Sequence, residues 1–209
     1  MGKIKLALLA GVMATVGMVG SASATPLTGT FNIDVYQGPG NSNINDANNQ
    51  AQQGNPLIAG AYYIGGGSYT GTIDFTSAAN DIGAFLTSGG GSDLGLTGTI
   101  LSSGGFGTTT VFVITGDVGG AHLYGSISHD DGASLYNGAG YSNVLADSHY
   151  PTTDISTNYS NLTGQFQLIY VEANGLPAVL TLDVARRVDA PEPLTLSLIM
   201  VETTDLIFV

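Results

Sequence analysis

Hydrophobic and polar residues alternate along several short segments of the chain, with the period of two that is typical of β-strands. Phe31, Ile33 and Val35 alternate with polar neighbours, and residues 165–170 repeat this pattern. Three further apolar or β-branched segments lie between Gly, Asn and Asp clusters, at 97–101, 111–114 and 179–184. The pattern predicts a strand at each of these five segments.

Helical periodicity is not evident in any long segment after the first 24 residues, and residues 47–53 (ANNQAQQ) are expected to form an Asn-rich loop. The chain contains 31 glycines, about twice the usual share of roughly 7%, which indicates many tight turns. Many short strands without helices between them predict an all-β fold, as a sandwich or a barrel.

The first 24 residues have the three parts of a secretory signal peptide. Lys3 and Lys5 precede an apolar segment at 6–20, and residues 22–24 (ASA) match a cleavage site. The apolar segment is shorter than the roughly 20 residues of a membrane-spanning helix, which favours cleavage over a permanent anchor. We therefore expect an exported protein in which residues 25–185 form a single domain.

Positive charge is concentrated at the two ends of the chain. The four basic residues are Lys3, Lys5, Arg186 and Arg187, whereas all 16 acidic residues follow residue 24, and the net charge is −12. Because residues 25–185 offer no cation to a phosphate, nucleic acid and anionic membranes are not expected partners. Cations are plausible partners, and the alternative is that acidity only keeps an exported protein soluble.

Residues 108–184 carry a series of motifs in a defined order. A strand leads through a glycine turn to a second strand ending in residues 128–132 (SHDDG), and LYNG follows at 135–138. LTG then precedes a strand, and residues 170–175 (YVEANG) lead to a closing apolar strand. In this order the motifs resemble the protective-antigen-type domain, a β-sandwich of bacterial toxins, glycosidases and yeast adhesins. The resemblance implies an antiparallel, jelly-roll-type β-sandwich, with a structural role for Glu172 at a strand end.

The adjacent carboxylates of Asp130 and Asp131 are the candidate functional groups. Consecutive strand residues point to opposite faces, so the two side chains converge only at a turn or an unusual peptide bond. A divalent cation would relieve their repulsion, and calcium prefers about six to eight oxygen ligands. In adhesin members of the family the two aspartates are joined by a cis peptide and chelate a calcium ion that accepts sugar hydroxyls. The resemblance implies these roles for Asp130 and Asp131.

Further calcium or sugar ligands are expected from the loops nearby. The candidates are Asn137, Asn143, Asp147 and Asp154, of which Asn137 is included in the predicted ligand-binding set. The alternative for the Asp-Asp-Gly sequence is a hairpin turn without a ligand, because Asp-Gly is a common turn dipeptide.

Catalytic motifs are not recognisable in the sequence. It contains no G-x-S-x-G motif and no cysteine, which removes two common kinds of nucleophile. His122, His129 and His149 lack the H-x-x-x-H spacing of zinc sites and are expected in exposed loops. We therefore expect a protein that is not an enzyme.

Residues 186–209 resemble a degenerate PEP-CTERM sorting signal. Residues 191–193 (PEP) precede an apolar segment at 194–201, but Glu202 and Asp205 interrupt it and no basic cluster follows. An exosortase recognises signals of this type, so sorting machinery is an expected partner if the tail is functional, and a frameshifted end is the alternative.

These features together predict an exported cell-surface or extracellular-matrix protein. Its expected activity is non-catalytic binding of a glycan or extracellular polysaccharide, with calcium as cofactor. The alternative prediction is a purely structural biofilm or envelope protein without a ligand.

Overall fold

Eleven β-strands and one α-helix account for most of the regular structure in the computed structural model, which describes residues 23–186. The strands are β1 (Thr25–Pro26), β2 (Thr28–Gly38), β3 (Tyr63–Thr72), β4 (Asp74–Ser77), β5 (Thr109–Asp117), β6 (Leu123–Asp130), β7 (Gly132–Asn137), β8 (Asn143–Ser148), β9 (Ile155–Leu162), β10 (Gln165–Glu172) and β11 (Ala178–Arg186). The helix is α1 (Ile82–Ser88), and short 3-10 helices lie at Ala47–Asn49, Gly60–Tyr62, Gly104–Phe106 and Ala139–Tyr141.

The strands form two antiparallel sheets. One sheet has the order β1-β11-β6-β9, with β4 also pairing with β11, and the other has the order β3-β2-β5-β10-β7-β8. A hydrophobic core joins them, in which Ile33 and Phe112 of the six-stranded sheet share a cluster with Ile127 and Leu180 of the five-stranded sheet. The prediction of an all-β antiparallel sandwich is therefore confirmed.

The central strands of the six-stranded sheet are buried on both faces. In β5, Phe112 and Ile114 belong to the core between the sheets, whereas Val111 and Val113 belong to a second apolar cluster on the outer face. Leu57, from the segment between β2 and β3, covers that outer cluster. Burial on both faces explains why this strand is continuously apolar instead of alternating.

Sequence periodicity did not predict helix α1, because its seven residues make only about two turns. The Asp81 side chain begins the helix by accepting a hydrogen bond from the Ala84 backbone N–H at 2.7 Å. Phe85 is fully buried in the core, where its ring stacks on Tyr170 at a centroid distance of 5.6 Å and lies 5.3 Å from the Phe112 ring. The helix thus contributes an aromatic side chain to the sandwich core. No helix within residues 23–186 combines the length and apolar character that a membrane crossing requires.

The strands predicted at 31–35, 111–114, 165–170 and 179–184 are confirmed as β2, β5, β10 and β11, whereas the strand predicted at 97–101 is wrong. Gly98 has a φ of 85°, outside the range of a strand. Its N–H donates to Asp81 at 2.6 Å, so the segment is held by side-chain contacts in place of a sheet ladder.

Residues 47–53 contain one 3-10 turn and are otherwise loop, as predicted. The predicted signal peptide and sorting tail lie outside the described residues, except for residues 23, 24 and 186.

The aromatic core allows a direct test of the fold. Replacing Phe85 with Ala removes a fully buried ring, so we expect the free energy of unfolding to fall by about 3–5 kcal/mol. Ile100→Ala is the control, because the Ile100 side chain is 47% exposed and should change stability by less than about 0.5 kcal/mol. Urea unfolding monitored by circular dichroism measures both variants, and equal losses in the two would contradict the described packing.

Candidate functional site

The aspartate pair lies where the chain crosses from one sheet to the other. Asp130 is the last residue of β6, Asp131 follows it, and β7 begins in the six-stranded sheet at the next residue. The Asp130–Asp131 peptide bond is cis, which agrees with the geometry that the resemblance implied. The site therefore occupies one end of the sandwich, at a junction between its two layers.

His129 supports this junction from inside the protein. It is fully buried in β6, so the expectation that it lies in an exposed loop is wrong. Its Nδ1 donates to the Asp131 backbone carbonyl at 2.6 Å, and because a carbonyl oxygen only accepts, Nδ1 carries the proton. Burial lowers the pKa of His129, which favours this neutral form. The alternation of Ile127 and His129 in β6 is the sequence signal that could have indicated its burial.

Asp131 connects the junction to the loop between β10 and β11. Its side chain is nearly buried, and Oδ2 accepts backbone N–H bonds from Ala173 at 2.8 Å and Asn174 at 3.0 Å. Burial raises the pKa of Asp131 to about 6; the charge of Asp130 also raises it, and the two N–H donors partly lower it. Among the hydrogen bonds within residues 23–186, Oδ1 accepts none. Asp131 is therefore mostly ionised at neutral pH although it is nearly buried, and one of its two carboxylate oxygens accepts hydrogen bonds.

Asp130 faces the loop between β8 and β9. Burial raises the pKa of the half-buried Asp130 carboxyl, and so does the nearby charge of Asp154, whereas the Asp154 backbone N–H lowers it. Of the four further ligands considered from the sequence, Asp154 is thus the one that lies beside the pair. The proximity of Asp154 to Asp130 could not be predicted from sequence spacing, because β7, β8 and the following loop lie between them along the chain.

Glu172 forms a buried hydrogen-bonded group directly behind the pair. Its Oε1 accepts from the Ser102 hydroxyl at 2.9 Å, and its Oε2 lies 2.8 Å from the Tyr170 hydroxyl, which also contacts the Asp130 carbonyl. Burial, followed by the charge of Asp131, raises the pKa of Glu172 to about 9. The neutral carboxyl can donate to the Tyr170 oxygen, which frees the single Tyr170 proton for the Asp130 carbonyl. Protonation of Glu172 thus gives every polar atom of this group a hydrogen-bond partner.

Asn137, which the sequence placed in the ligand-binding set, does not lie at this site. It ends β7, whereas Asp131 precedes the strand, so the two are roughly 20 Å apart along the strand. Asn137 accepts a hydrogen bond from Asn143 at 2.7 Å and donates to the Asn161 and Thr163 carbonyls at 3.4 Å. It therefore fixes the opposite turn, and proximity in sequence was a poor guide because an extended strand separates its two ends.

Asp147 pairs with Ser134, three residues after Asp131, and its hydrogen-bond partners do not include the aspartate pair. It is in β8, where its carboxylate contacts the His149 ring. Within residues 23–186, no three His, Asp or Glu side chains converge so that they could hold a metal ion by themselves. The donors at the junction are carboxylate oxygens without a neutralising Lys or Arg, which suits a hard cation such as calcium. Such an ion would need carbonyl, water or ligand oxygens to complete its coordination.

The comparisons with known proteins concern the fold. No protein-family model matches the chain, and no curated protein matches it either. A solved structure, "Crystal structure of PA14 domain of MpAFP Antifreeze protein", is similar over 80% of this chain and 86% of that chain, with 12% sequence identity and a TM-score of 0.47. The assignment of a β-sandwich given above rests on the paired strands of this chain itself.

The raised pKa values predict how stability depends on pH in calcium-free buffer. A carboxyl whose pKa is raised by folding binds its proton more tightly in the folded state, so its contribution to stability is complete below the pKa of the unfolded chain. For Glu172 this contribution is lost as pH rises from about 4.5 to about 9. We expect stability to fall by on the order of 1 kcal/mol per pH unit across part of this range.

Glu172→Gln tests the assignment, because its amide can donate to the Tyr170 oxygen as the neutral carboxyl does. The variant should unfold at urea concentrations that vary much less between pH 6 and pH 9, and at pH 9 it should be more stable than the wild type. Asp117→Asn, at the far end of β5, serves as the control. A Glu172→Gln variant with the pH dependence of the wild type would contradict a neutral, buried Glu172.

Proposed function

We propose that this domain is a non-catalytic binding module of an exported surface or matrix protein, in which Asp130 and Asp131 hold a calcium ion that binds glycan hydroxyls. The observation that carries the proposal is the pairing of two desolvated carboxylates at the β6–β7 junction without a cationic side chain beside them. Residues 25–185 contain no Lys or Arg, so no basic side chain in this range supplies the positive charge that would stabilise the ionised pair.

The electrostatics of the pair favour a cation over simple exposure to water. Burial and the neighbouring carboxylates raise the pKa values of both Asp130 and Asp131, which means that their ionised forms are disfavoured by the surroundings. A calcium ion, when bound, supplies the opposite charge and open coordination positions for hydroxyl oxygens. Asp154 adds a third carboxylate on the side of Asp130 and strengthens the attraction for a divalent ion.

Several contacts hold the pair in place before any ligand arrives. The Ala173 and Asn174 N–H groups fix one oxygen of Asp131, while His129 and Tyr170 hold the backbone carbonyls of Asp131 and Asp130. Ligand binding then requires little ordering of side chains, and such preorganisation improves affinity.

Apolar side chains lie in the loops that carry the site. Tyr150, 47% exposed, has its backbone next to Gly132, where a Cβ atom would lie 3.3 Å from the Tyr150 carbonyl oxygen. Leu176, 41% exposed, follows two residues after Asn174. An exposed aromatic ring and an apolar side chain near a cation site suit the carbon-bound faces of a sugar ring, which supports a glycan as the ligand.

One observation favours the alternative, a purely structural exported protein. The two N–H bonds that Asp131 accepts are a sufficient reason for an aspartate at this position, because they close the loop between β10 and β11. Asp130 has no comparable role among residues 23–186, where the Asp154 backbone N–H is the group that lowers the pKa of its carboxyl. Substitution of Asp130 therefore separates ligand binding from folding better than substitution of Asp131.

Calcium titration of the purified protein by isothermal calorimetry tests the proposal. We expect saturable binding of calcium by the wild type and at least about tenfold weaker binding by Asp130→Asn, because loss of one charged ligand costs more than about 1.4 kcal/mol. Asp117→Asn removes a carboxylate at the end of β5 that lies away from Glu172 and the aspartate pair, and this variant should bind calcium like the wild type. Absence of binding, or equal affinities for Asp130→Asn and Asp117→Asn, would overturn the calcium site.

A glycan array probed in calcium and in chelator tests the ligand class. Signals that require calcium and that are lost in Asp130→Asn are expected if sugar hydroxyls bind through the ion. If calorimetry detects calcium but no glycan on the array binds in a calcium-dependent way, the ion has a structural role and the alternative function is favoured.

A further inference from the structure

Part of the outer face of the six-stranded sheet is not covered by any of the residues 23–186 that the structure describes. The segment between β2 and β3 covers β5 and β10 through Leu57 and its neighbours, but the outward side chains of residues 28–34 and 68–72 stay exposed or half-exposed. We call the outward side chains of residues 28–36 and 63–72 the β2–β3 face. It follows β2 for about 27 Å, since each strand residue advances roughly 3.4 Å.

Ordered polar groups occupy most of the β2–β3 face. The hydroxyls of Thr28 and Thr72, and those of Thr30 and Thr70, form cross-strand hydrogen bonds of 3.0 Å. Further along β2, the Asn32 amide donates to the Asp34 carboxylate at 3.3 Å. The face therefore presents hydroxyl, amide and carboxylate groups at the regular spacing of a sheet, with their orientations already restrained.

Aromatic rings lie at the end of the face beyond Asp34. Tyr63 is 46% exposed and packs edge-to-face with Tyr36 at a centroid distance of 5.6 Å. Between Tyr63 and Ser68, β3 has only Ile64 and the glycines 65–67. A Cβ atom at Gly66 would lie 2.3 Å from the Ile33 carbonyl and 3.0 Å from Asp34 Oδ1, so a larger residue cannot fit there. Glycine thus leaves Asp34 open beside the aromatic pair.

The polar and aromatic groups of the β2–β3 face indicate which class of ligand it can bind. The tyrosine rings can pack on the apolar faces of sugar rings, and the neighbouring carboxylate and threonine hydroxyls can hydrogen-bond sugar hydroxyls. With a net charge of −12 and no Lys or Arg in residues 25–185, the domain repels anionic polymers. The same negative charge opposes association with a second copy. We propose that the β2–β3 face binds a neutral polysaccharide chain lying along the strands, without calcium.

This surface is independent of the aspartate junction. It lies on the outer side of β2 and β3 in the six-stranded sheet, whereas Asp130 belongs to β6 in the five-stranded sheet. None of its groups needs a metal ion, because Asp34 accepts hydrogen bonds directly and Tyr63 offers a ring. The proposal therefore holds or fails separately from the proposed calcium site, and a chelator distinguishes the two.

Affinity electrophoresis of the purified protein in EDTA tests the proposal, with gels that contain mixed-linkage β-glucan, arabinoxylan, galactomannan or alginate. We expect retardation by at least one of the three neutral polymers and none by anionic alginate. Tyr63→Ala should weaken that binding about tenfold, the effect of removing a stacking residue that carries much of the binding energy. Asp34→Asn, nearly the same size as the native residue, should also weaken binding if its charge accepts sugar hydroxyls.

Two controls keep the outcome clear. Tyr124→Ala removes another exposed tyrosine, 39% exposed and located in β6 of the other sheet, and should bind like the wild type. Asp130→Asn should also bind like the wild type. Urea midpoints of all variants show whether each one is folded. Absence of retardation by all three neutral polymers, or binding that Tyr63→Ala and Asp34→Asn leave unchanged, would overturn the proposal, and so would binding that appears only in calcium.

Discussion

The burial of acidic groups at one end of the sandwich, with no Lys or Arg beside them, is the constraint on which the site depends. Residues 25–185 contain no Lys or Arg, yet the β6–β7 junction gathers Asp130, Asp131 and Glu172. The cost of burial is reduced differently for each carboxyl. Glu172 keeps its proton, and Asp131 accepts two backbone N–H bonds. Asp130 instead lies beside a further carboxylate, that of Asp154. The two carboxylates that remain ionised are the ones a cation would stabilise.

The core and the site are coupled through Tyr170. Its ring is fully buried against Phe85 and Phe112, and its hydroxyl contacts Glu172 and the Asp130 carbonyl. The same residue thus completes the aromatic core and fixes the backbone at the junction. A ligand bound at the junction would therefore meet a rigid framework, because movement of the Asp130 carbonyl would disturb the packing between the sheets.

Much of the fold could be predicted from the sequence, because alternation in β2 and β10 and the apolar run in β5 directly reflect burial of one or two sheet faces. Helix α1 was missed because it is too short for a period to appear, and residues 97–101 were misassigned because β-branched residues there are held by loop contacts in place of a ladder. At the candidate site, the cis peptide bond between Asp130 and Asp131 agrees with the resemblance. The sequence could not show that Asp154 lies beside Asp130 or that Asn137 lies at the other end of β7. Both positions depend on the three-dimensional arrangement of strands and loops, which spacing along the chain does not report.

The central claim is that the ionised Asp130–Asp131 pair attracts a calcium ion. Nuclear magnetic resonance titration of the side-chain carboxyl carbons, in EDTA and in excess calcium, measures this most directly. In EDTA the pKa of Asp131 should lie at about 6, raised by burial, and calcium should lower the apparent pKa values of both aspartates by about one unit or more. The carboxyl resonance of Asp117 should be unaffected. If the two aspartates titrate identically with and without calcium, no ion is shared between them and the account of this site is contradicted.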